Sequence, residues 1–368
     1  MDQDYILAPQ VVTVQFELDP VLTNLESMRL LNETERLSGL GDWVVNTLSQ
    51  LSAEERDLNI IVFDGFFSVI YGKQGILHGY DSLDDALDSL AAKDPYLLRD
   101  DMLKDWSAFP EKWGEKWDSD LRATPEQLRQ DPSLMQAFIS HAMECEFSHP
   151  NIEQIVALAQ NPPRMLATIV SHIRMIWTQW LQPEYNRVLP MLNESVSAYR
   201  QMTFNDMTVL EAIRAVTGRD MRNHMSEHDH LADVTRVRFT PSAHIGPYIT
   251  RFPDGETLHV VFGARLPRGA AAQSSALSRS ELLVRLNALA DDVRLRILEL
   301  LTQHDELCAQ DIIEILGLSQ SSVSRHLSQL SATGYITERR REVSKCYSLN
   351  TERMLDTVRA LTSFASKK

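Results

Sequence analysis

Residues 291–350 read DDVRLRILELLTQHDELCAQDIIEILGLSQSSVSRHLSQLSATGYITERRREVSKCYSLN, and the spacing of apolar residues in this stretch decides the fold. Asp291 is placed to cap a helix in which Val293, Ile297, Leu300 and Leu301 recur on one face, with Leu298 beside them. Cys308, Ile312, Ile313 and Leu316 repeat the pattern in a shorter helix, and Gly317 stands where a left-handed residue would stop it. A three-residue turn, Gly317 to Ser319, leads to a third helix, capped by the Ser319 hydroxyl and striped by Val323, Leu327 and Leu330. Gly334 ends that helix. Tyr335 to Glu338 and Lys345 to Leu349 then alternate as two strands of a hairpin. Helix, helix, turn, helix and hairpin is the order of a winged helix-turn-helix, which lays one helix in a DNA groove.

The third helix carries the chemistry. Its outer face offers Gln320, Ser321, Ser322, Ser324, Arg325, Ser328 and Gln329, a surface of short donors and acceptors with one guanidinium. Gln pairs bidentately with adenine, Arg with guanine and Ser with several bases, each good bidentate pair discriminating by ~1 to 3 kcal/mol. Gln320, Ser321, Ser322, Ser324 and Arg325 are therefore expected to face bases. A plain solvated helix face is the competing reading, and the flanks weigh against it. Arg339, Arg340 and Arg341 follow one another between the strands, with Lys345 close by, as phosphate-contacting residues of a wing would.

With these elements in order, the segment from about Leu286 to Leu349 resembles the winged-helix domain of the ArsR family of bacterial repressors. LADDVRLRILELL, ELCAQDIIEILGLSQSSVSRHLSQL and YITERRREVSKCYSLN carry the likeness, which covers about 90 of 368 residues. The resemblance implies a DNA-binding role, double-stranded DNA as partner and a homodimer, built through the first and last helices. Leu282, Leu283, Leu286 and Leu289 in a helix capped by Ser278, and Met354, Leu355, Val358, Leu361 and Thr362 in the last one, have compatible spacing.

Some members of this family sense thiophilic metals through two cysteines one residue apart, and here that stretch is Cys308-Ala309-Gln310-Asp311. A single thiolate cannot supply such a site. Others use Asp and His pairs in the final helix, which here holds Glu352 and Asp356 but no histidine. No cofactor and no family-type metal site is expected. Cys308 then reads as a small buried apolar residue and Cys346 as a strand position without redox work. With Cys145 they make three cysteines, an odd and sparse set that gives no disulfide framework and suggests a reducing, cytoplasmic setting.

Charge separates the chain into two parts. From Ser278 onward there are 13 Lys and Arg against 12 Asp and Glu, leaving 23 against 39 in the preceding 277 residues. An acidic body repels phosphate, which favours an oriented approach to DNA, although solubility alone accounts for much of such charge. The stretch 266–277, LPRGAAAQSSAL, has the small-residue composition of a linker. The expected domains are thus 1–265, 266–277 and 278–368. No segment is apolar and long enough for a membrane span; Asn59 to Gly72 is the most apolar and is interrupted by Asp64.

The fold class expected is mainly α with small β elements: a C-terminal winged helix-turn-helix plus a larger, mostly helical N-terminal part with a small antiparallel sheet. Val11 to Leu18, Thr235 to Thr240, Tyr248 to Phe252 and Thr257 to Phe262 are its strands, with Asp254-Gly255 as a turn. Leu166, Ile169, Val170, Ile173, Ile176, Trp177 and Trp180 mark the best amphipathic helix, and Glu184 to Arg200 follows with Pro190 inside. Phosphate-loop, dinucleotide, zincin and nucleophile-elbow motifs are all missing, so no enzyme is expected. His224, His228 and His230 form the one metal-like spacing, read in preference as a polar connector. His244 in a turn and the Trp106, Trp113, Trp117 and Phe109 group read as structural residues. The expected function is a sequence-specific transcriptional regulator of repressor type, with an N-terminal module for oligomerisation or for a small-molecule effector. Two rivals stay open: an N-terminal enzyme with an appended DNA-binding domain, and a winged helix used as a protein-protein module.

Overall fold

The computed structural model describes residues 11–37, 39–72, 75, 79–113, 117–146, 150–219, 221, 231–265, 267, 279–341 and 344–365. The chain forms two compact units, one of residues 1–18, 33–42 and 188–368, the other of 19–32 and 43–187.

The first unit holds both sheets. Strand β1 (Thr13–Phe16) pairs parallel with β2 (Arg236–Ser242), which pairs parallel with β4 (Thr257–Gly263), and β3 (Ile249–Asp254) closes the far edge antiparallel to β4. The order β1-β2-β4-β3 makes this sheet mixed, where the sequence suggests an antiparallel one. The reason lies in the connections. β1 reaches β2 only after more than 200 intervening residues, as a parallel pair requires a long crossover, and the Asp254-Gly255 hairpin folds β4 back between β2 and β3. Helices α1 (Gln182–Arg200) and α2 (Val209–Thr217) supply Val196, Tyr199, Val209 and Ile213 to a core shared with Phe16, Val237, Phe239, Val260 and Phe262. Phe16 stacks on Tyr199 and Phe239 at centroid distances of 4.9 and 5.3 Å. Pro190 lies inside α1. His244 is buried, and its carbonyl accepts from the Gly41 N–H at 2.8 Å.

The same unit contains the winged helix: α3 (Arg279–Leu289), α4 (Asp292–Gln303), β5 (Leu307–Cys308), α5 (Ala309–Leu316), α6 (Gln320–Thr333), β6 (Ile336–Arg341), β7 (Ser344–Leu349) and α7 (Thr351–Ala365). Its core includes Ile297, Leu298, Leu301, Ile312, Val323, Leu327 and Leu330 from the helical stripes read in the sequence, joined by Tyr335. Strand β5 adds a third member to the hairpin sheet, in the order β5-β7-β6. The Ser278 cap and all of 266–277 except Pro267 lie outside the described residues.

The second unit is helical throughout its described residues. Asp19 caps the helix Pro20–Arg29 by accepting from the Val21 and Leu22 N–H groups, and Pro20 costs nothing at the first position. Leu22, Leu25, Phe63, Phe66, Leu87, Ile169 and Ile173 are buried. Trp106 and Trp117 are buried too, Trp117 lying 4.8 Å from Phe138, so these aromatics fill a core. No helix among the described residues is long and apolar enough to cross a membrane.

Candidate nucleic-acid interface

The helix-turn-helix is set by its end groups. The Asp311 carboxylate reaches back to the Cys308 N–H at 2.8 Å to start α5, and Gly317 ends it in the left-handed region at φ +65°. The Ser319 hydroxyl accepts from the Ser322 N–H at 3.3 Å to start α6, and Gly334 ends it at φ +79°. Both glycines take a backbone conformation that a side chain would strain.

Of the residues expected to face bases, Gln320, Ser321 and Ser324 are exposed, and Ser322 and Arg325 are half-buried. The accessible surface is thus the first turn and a half of α6, the part that a recognition helix presents to base edges. The polar face does not continue to the end of the helix. Gln329 is only 1% exposed, and a Cβ at Gly39 would collide with its side-chain amide nitrogen. His326 is buried as well, with Nδ1 3.5 Å from the Asp291 carboxylate. Burial holds its pKa below the usual imidazole value, Asp291 opposes the shift, and Arg294 and Arg325 add to it.

The wing differs from expectation in where its arginines stand. β6 runs through Arg341, so Arg339, Arg340 and Arg341 are strand residues with register partners Cys346, Lys345 and Ser344, rather than a loop at the tip. Strand alternation puts Arg339 and Arg341 on one face. Both are exposed; Arg339 donates to Glu306 at 3.0 Å, and Lys345 lies 3.0 Å from Glu338. The Arg339 guanidinium is itself exposed, and a surface pair of this kind is worth ~1 kcal/mol or less, so phosphate can compete for that cation. The side chain of Glu338, which holds Lys345, is by contrast only 7% exposed. Arg340 is described only in its backbone, the hairpin tip 342–343 and His224, His228 and His230 lying outside the described residues.

Two features escaped the sequence reading. Cys308 and Cys346 are ladder partners in β5 and β7 and are joined by a disulfide, which corrects the expectations that Cys308 is a small buried apolar residue, that Cys346 does no redox work and that the cysteines form no disulfide. Strand pairing brings together two residues 38 apart in the chain, with no local signal to announce it. The second feature is a cleft of about 460 Å³ lined by Arg214 and Glu211 of α2, by Arg265, and by Glu352, Arg353 and Asp356 of α7. The Arg353 Nε donates to the Thr333 carbonyl at 2.9 Å, and Arg265 Nη1 donates to the Thr217 carbonyl at 3.1 Å. Among the described residues no group of three or more His, Cys, Asp or Glu is arranged to hold a metal ion.

An exposed start of a recognition helix beside a basic hairpin defines a winged-helix DNA-binding regulator. The family model described as bacterial regulatory protein, arsR family, matches residues 291–338. The transcriptional repressor SdpR of Bacillus subtilis is 35% identical over 80 residues, which are 22% of this chain and 88% of that protein. The arsenical resistance operon repressor of Staphylococcus xylosus is 38% identical over 76 residues, covering 21% and 72%. The arsenic resistance transcriptional regulator ArsR1 of Pseudomonas putida is 41% identical over 64 residues, covering 17% of this chain and half of that protein's length. The chain belongs to the arsR family of bacterial regulatory proteins, and its similarity to these relatives spans about a fifth of its length.

Proposed function

We propose that the chain is a cytoplasmic, homodimeric, sequence-specific transcriptional repressor without turnover of its own. Residues 278–368 act as the DNA reader, joined through 266–277 to an N-terminal part, 1–265, that answers to a small molecule. The observation that carries the reading is the exposed first turn of α6, Gln320, Ser321 and Ser324, beside the exposed Arg339 and Arg341 of the wing. Base-edge donors and phosphate-facing cations are the two contact classes that a specific DNA complex needs. The names of the relatives, two of them repressors, support the sign of regulation.

For the effector, the cleft between α2 and α7 is the candidate, because its ligand would touch the N-terminal part and the winged helix together. Three arginines and three carboxylates on its lining suit a small anion or zwitterion.

Selection of bound duplexes from random DNA, followed by titration of variants, tests the main reading. Gln320→Ala is expected to relax preference at one base position at a cost of ~1 to 3 kcal/mol, and Arg341→Ala to weaken all sequences evenly and lower the salt slope by ~1. Wild-type affinity and preference in both variants would sink the docking. Retention of no duplex at any salt would favour a protein-protein module, and turnover of a metabolite lost through N-terminal substitutions alone would favour an enzyme.

A further inference from the structure

The Cys308–Cys346 pair sits at the joint between the two DNA-contacting elements. Cys308 is the last residue of β5 and immediately precedes α5, the first helix of the helix-turn-helix; Cys346 is in β7, the inner strand of the wing. The β5–β7 ladder has only two register pairs, Leu307 with Tyr347 and Cys308 with Cys346, so half of this seam is the disulfide itself. Cys346 is buried, whereas Cys308 is half-buried and open to a small reagent. The N-terminal end of α5 beside Cys308 favours a thiolate, the nucleophilic form of cysteine, against the opposing charge of Asp311, while Arg339, the register partner of Cys346, is ion-paired with Glu306. Burial of one sulfur beside an accessible one is the arrangement of an attacking and a resolving thiol.

Resting on the reading of the chain as a DNA-binding repressor, we infer that Cys308 and Cys346 form an oxidisable dithiol whose oxidant is a hydroperoxide and whose oxidation raises DNA affinity. The Cys308 thiolate attacks the peroxide oxygen, breaking the O–O bond to give a sulfenic acid and, after protonation, one water or alcohol. The Cys346 thiol then attacks that sulfur, forms the S–S bond and displaces the sulfenic oxygen as water. In sum, two thiols and one hydrogen peroxide give one disulfide and two waters, a balanced two-electron oxidation. Reduction by a low-molecular-weight thiol reverses the state by exchange. Unbonded thiols need van der Waals separation, so reduction turns the two side chains apart and leaves β5 and β7 held by their short ladder alone, which loosens the wing against the start of α5. The oxidised form holds recognition helix and wing in one arrangement and binds DNA with less ordering left to do.

The test uses the full chain and a duplex obtained by selection. Protein is reduced, freed of reductant, and treated with equimolar hydrogen peroxide. Peptide masses across residues 308 and 346 report the bond, and titrations report affinity in both states. The expected result is a mass loss of two hydrogens at this pair and DNA binding on the order of tenfold tighter when oxidised, within the usual range of coupling between sites. Cys308→Ser and Cys346→Ala should keep the reduced affinity and show no response to peroxide, while Cys145→Ser should respond like wild type. Thiols that stay free under peroxide would overturn the chemical step. A bond that forms with unchanged affinity would reduce the disulfide to a passive staple and overturn the switch. Failure to retain any duplex in either state, with the bond forming normally, would instead overturn the DNA-binding reading on which the switch rests.

Discussion

Among the described residues of the second unit, His172 is a buried imidazole, 2% exposed. Its Nε2 donates to Asn59 Oδ1 at 3.0 Å, and the Asn59 amide donates in turn to Asn32 Oδ1 at 2.7 Å and to the Met28 carbonyl at 3.1 Å. Nδ1 is enclosed without a hydrogen-bond partner, and burial pushes the pKa down to about 4. In the unfolded chain this group titrates near its ordinary 6.5. Between those two values the unfolded state binds the proton and the folded state does not, so the contribution is complete above pH 6.5 and is lost as pH falls towards 4. A shift of this size corresponds to ~3 kcal/mol. His172→Gln keeps a donor for Asn59 but removes the titration. Denaturant unfolding followed by tryptophan fluorescence should show wild-type stability falling more steeply than that of the variant between pH 6.5 and 4; equal slopes would refute the assignment. None of this was legible in the sequence, because Asn32, Asn59 and His172 are far apart in the chain and each alone resembles a surface residue.

At the scale of elements, the last helix shows what periodicity can and cannot deliver. Leu355, Val358 and Leu361 of α7 are 49, 58 and 45% exposed, and Leu283 of α3 is 58% exposed. This is the stripe that the sequence marks for a dimer. The opposite face of α7 is buried through Arg353, Thr357 and Ala360, which apolar spacing alone does not select. Arginines explain the difference. Arg285, Arg294 and Arg353 are buried because their guanidinium groups meet partners within the domain: Arg294 donates to the Ala288 and Asn287 carbonyls at 2.5 and 2.9 Å, and Arg285 to Thr357 Oγ1 at 3.4 Å. Strand β5, two residues long, has no periodicity to detect, whereas the repeat of apolar positions marks the buried faces of α4 and α6 through Ile297, Leu301, Val323, Leu327 and Leu330. In α5 only Ile312 is fully buried, Cys308 stands before the helix, and Leu300 of α4 stays half-buried. Covering the exposed half of each such leucine or valine in a dimer is worth about 1 kcal/mol. Leu355→Lys with Val358→Lys is therefore expected to convert a dimer to a monomer in sedimentation equilibrium and to leave the thermal stability of the monomer nearly unchanged. A dimer that survives both substitutions would place the interface elsewhere.

Across the whole molecule, the excess of acidic over basic residues lies in the first 277 residues, while acid and base nearly balance from Ser278 onward, which leaves the wing as the cationic approach to a duplex. The link between recognition and the rest of the chain then has to be geometric. Arg353 provides one such link, since its guanidinium lies beside Gly218, the residue that ends α2 in the left-handed region at φ +72°. A ligand in the cleft between α2 and α7 alters DNA affinity only by the ratio of its affinities for the two arrangements of these helices, and DNA must alter the ligand's affinity by the same factor. Inorganic phosphate, a dicarboxylate and an amino acid serve as probes of the charge pattern. A probe held at 100 times its dissociation constant should stabilise the protein by ~2.7 kcal/mol and raise its melting temperature by a few degrees. The same probe should shift the DNA titration. Arg214 is exposed on α2 at the cleft and distant in sequence from the recognition helix, so Arg214→Ala should abolish both responses and leave ligand-free DNA affinity intact. Stabilisation by a probe that leaves DNA affinity untouched would detach the cleft from regulation. An undiminished response in Arg214→Ala would move the binding site out of the cleft.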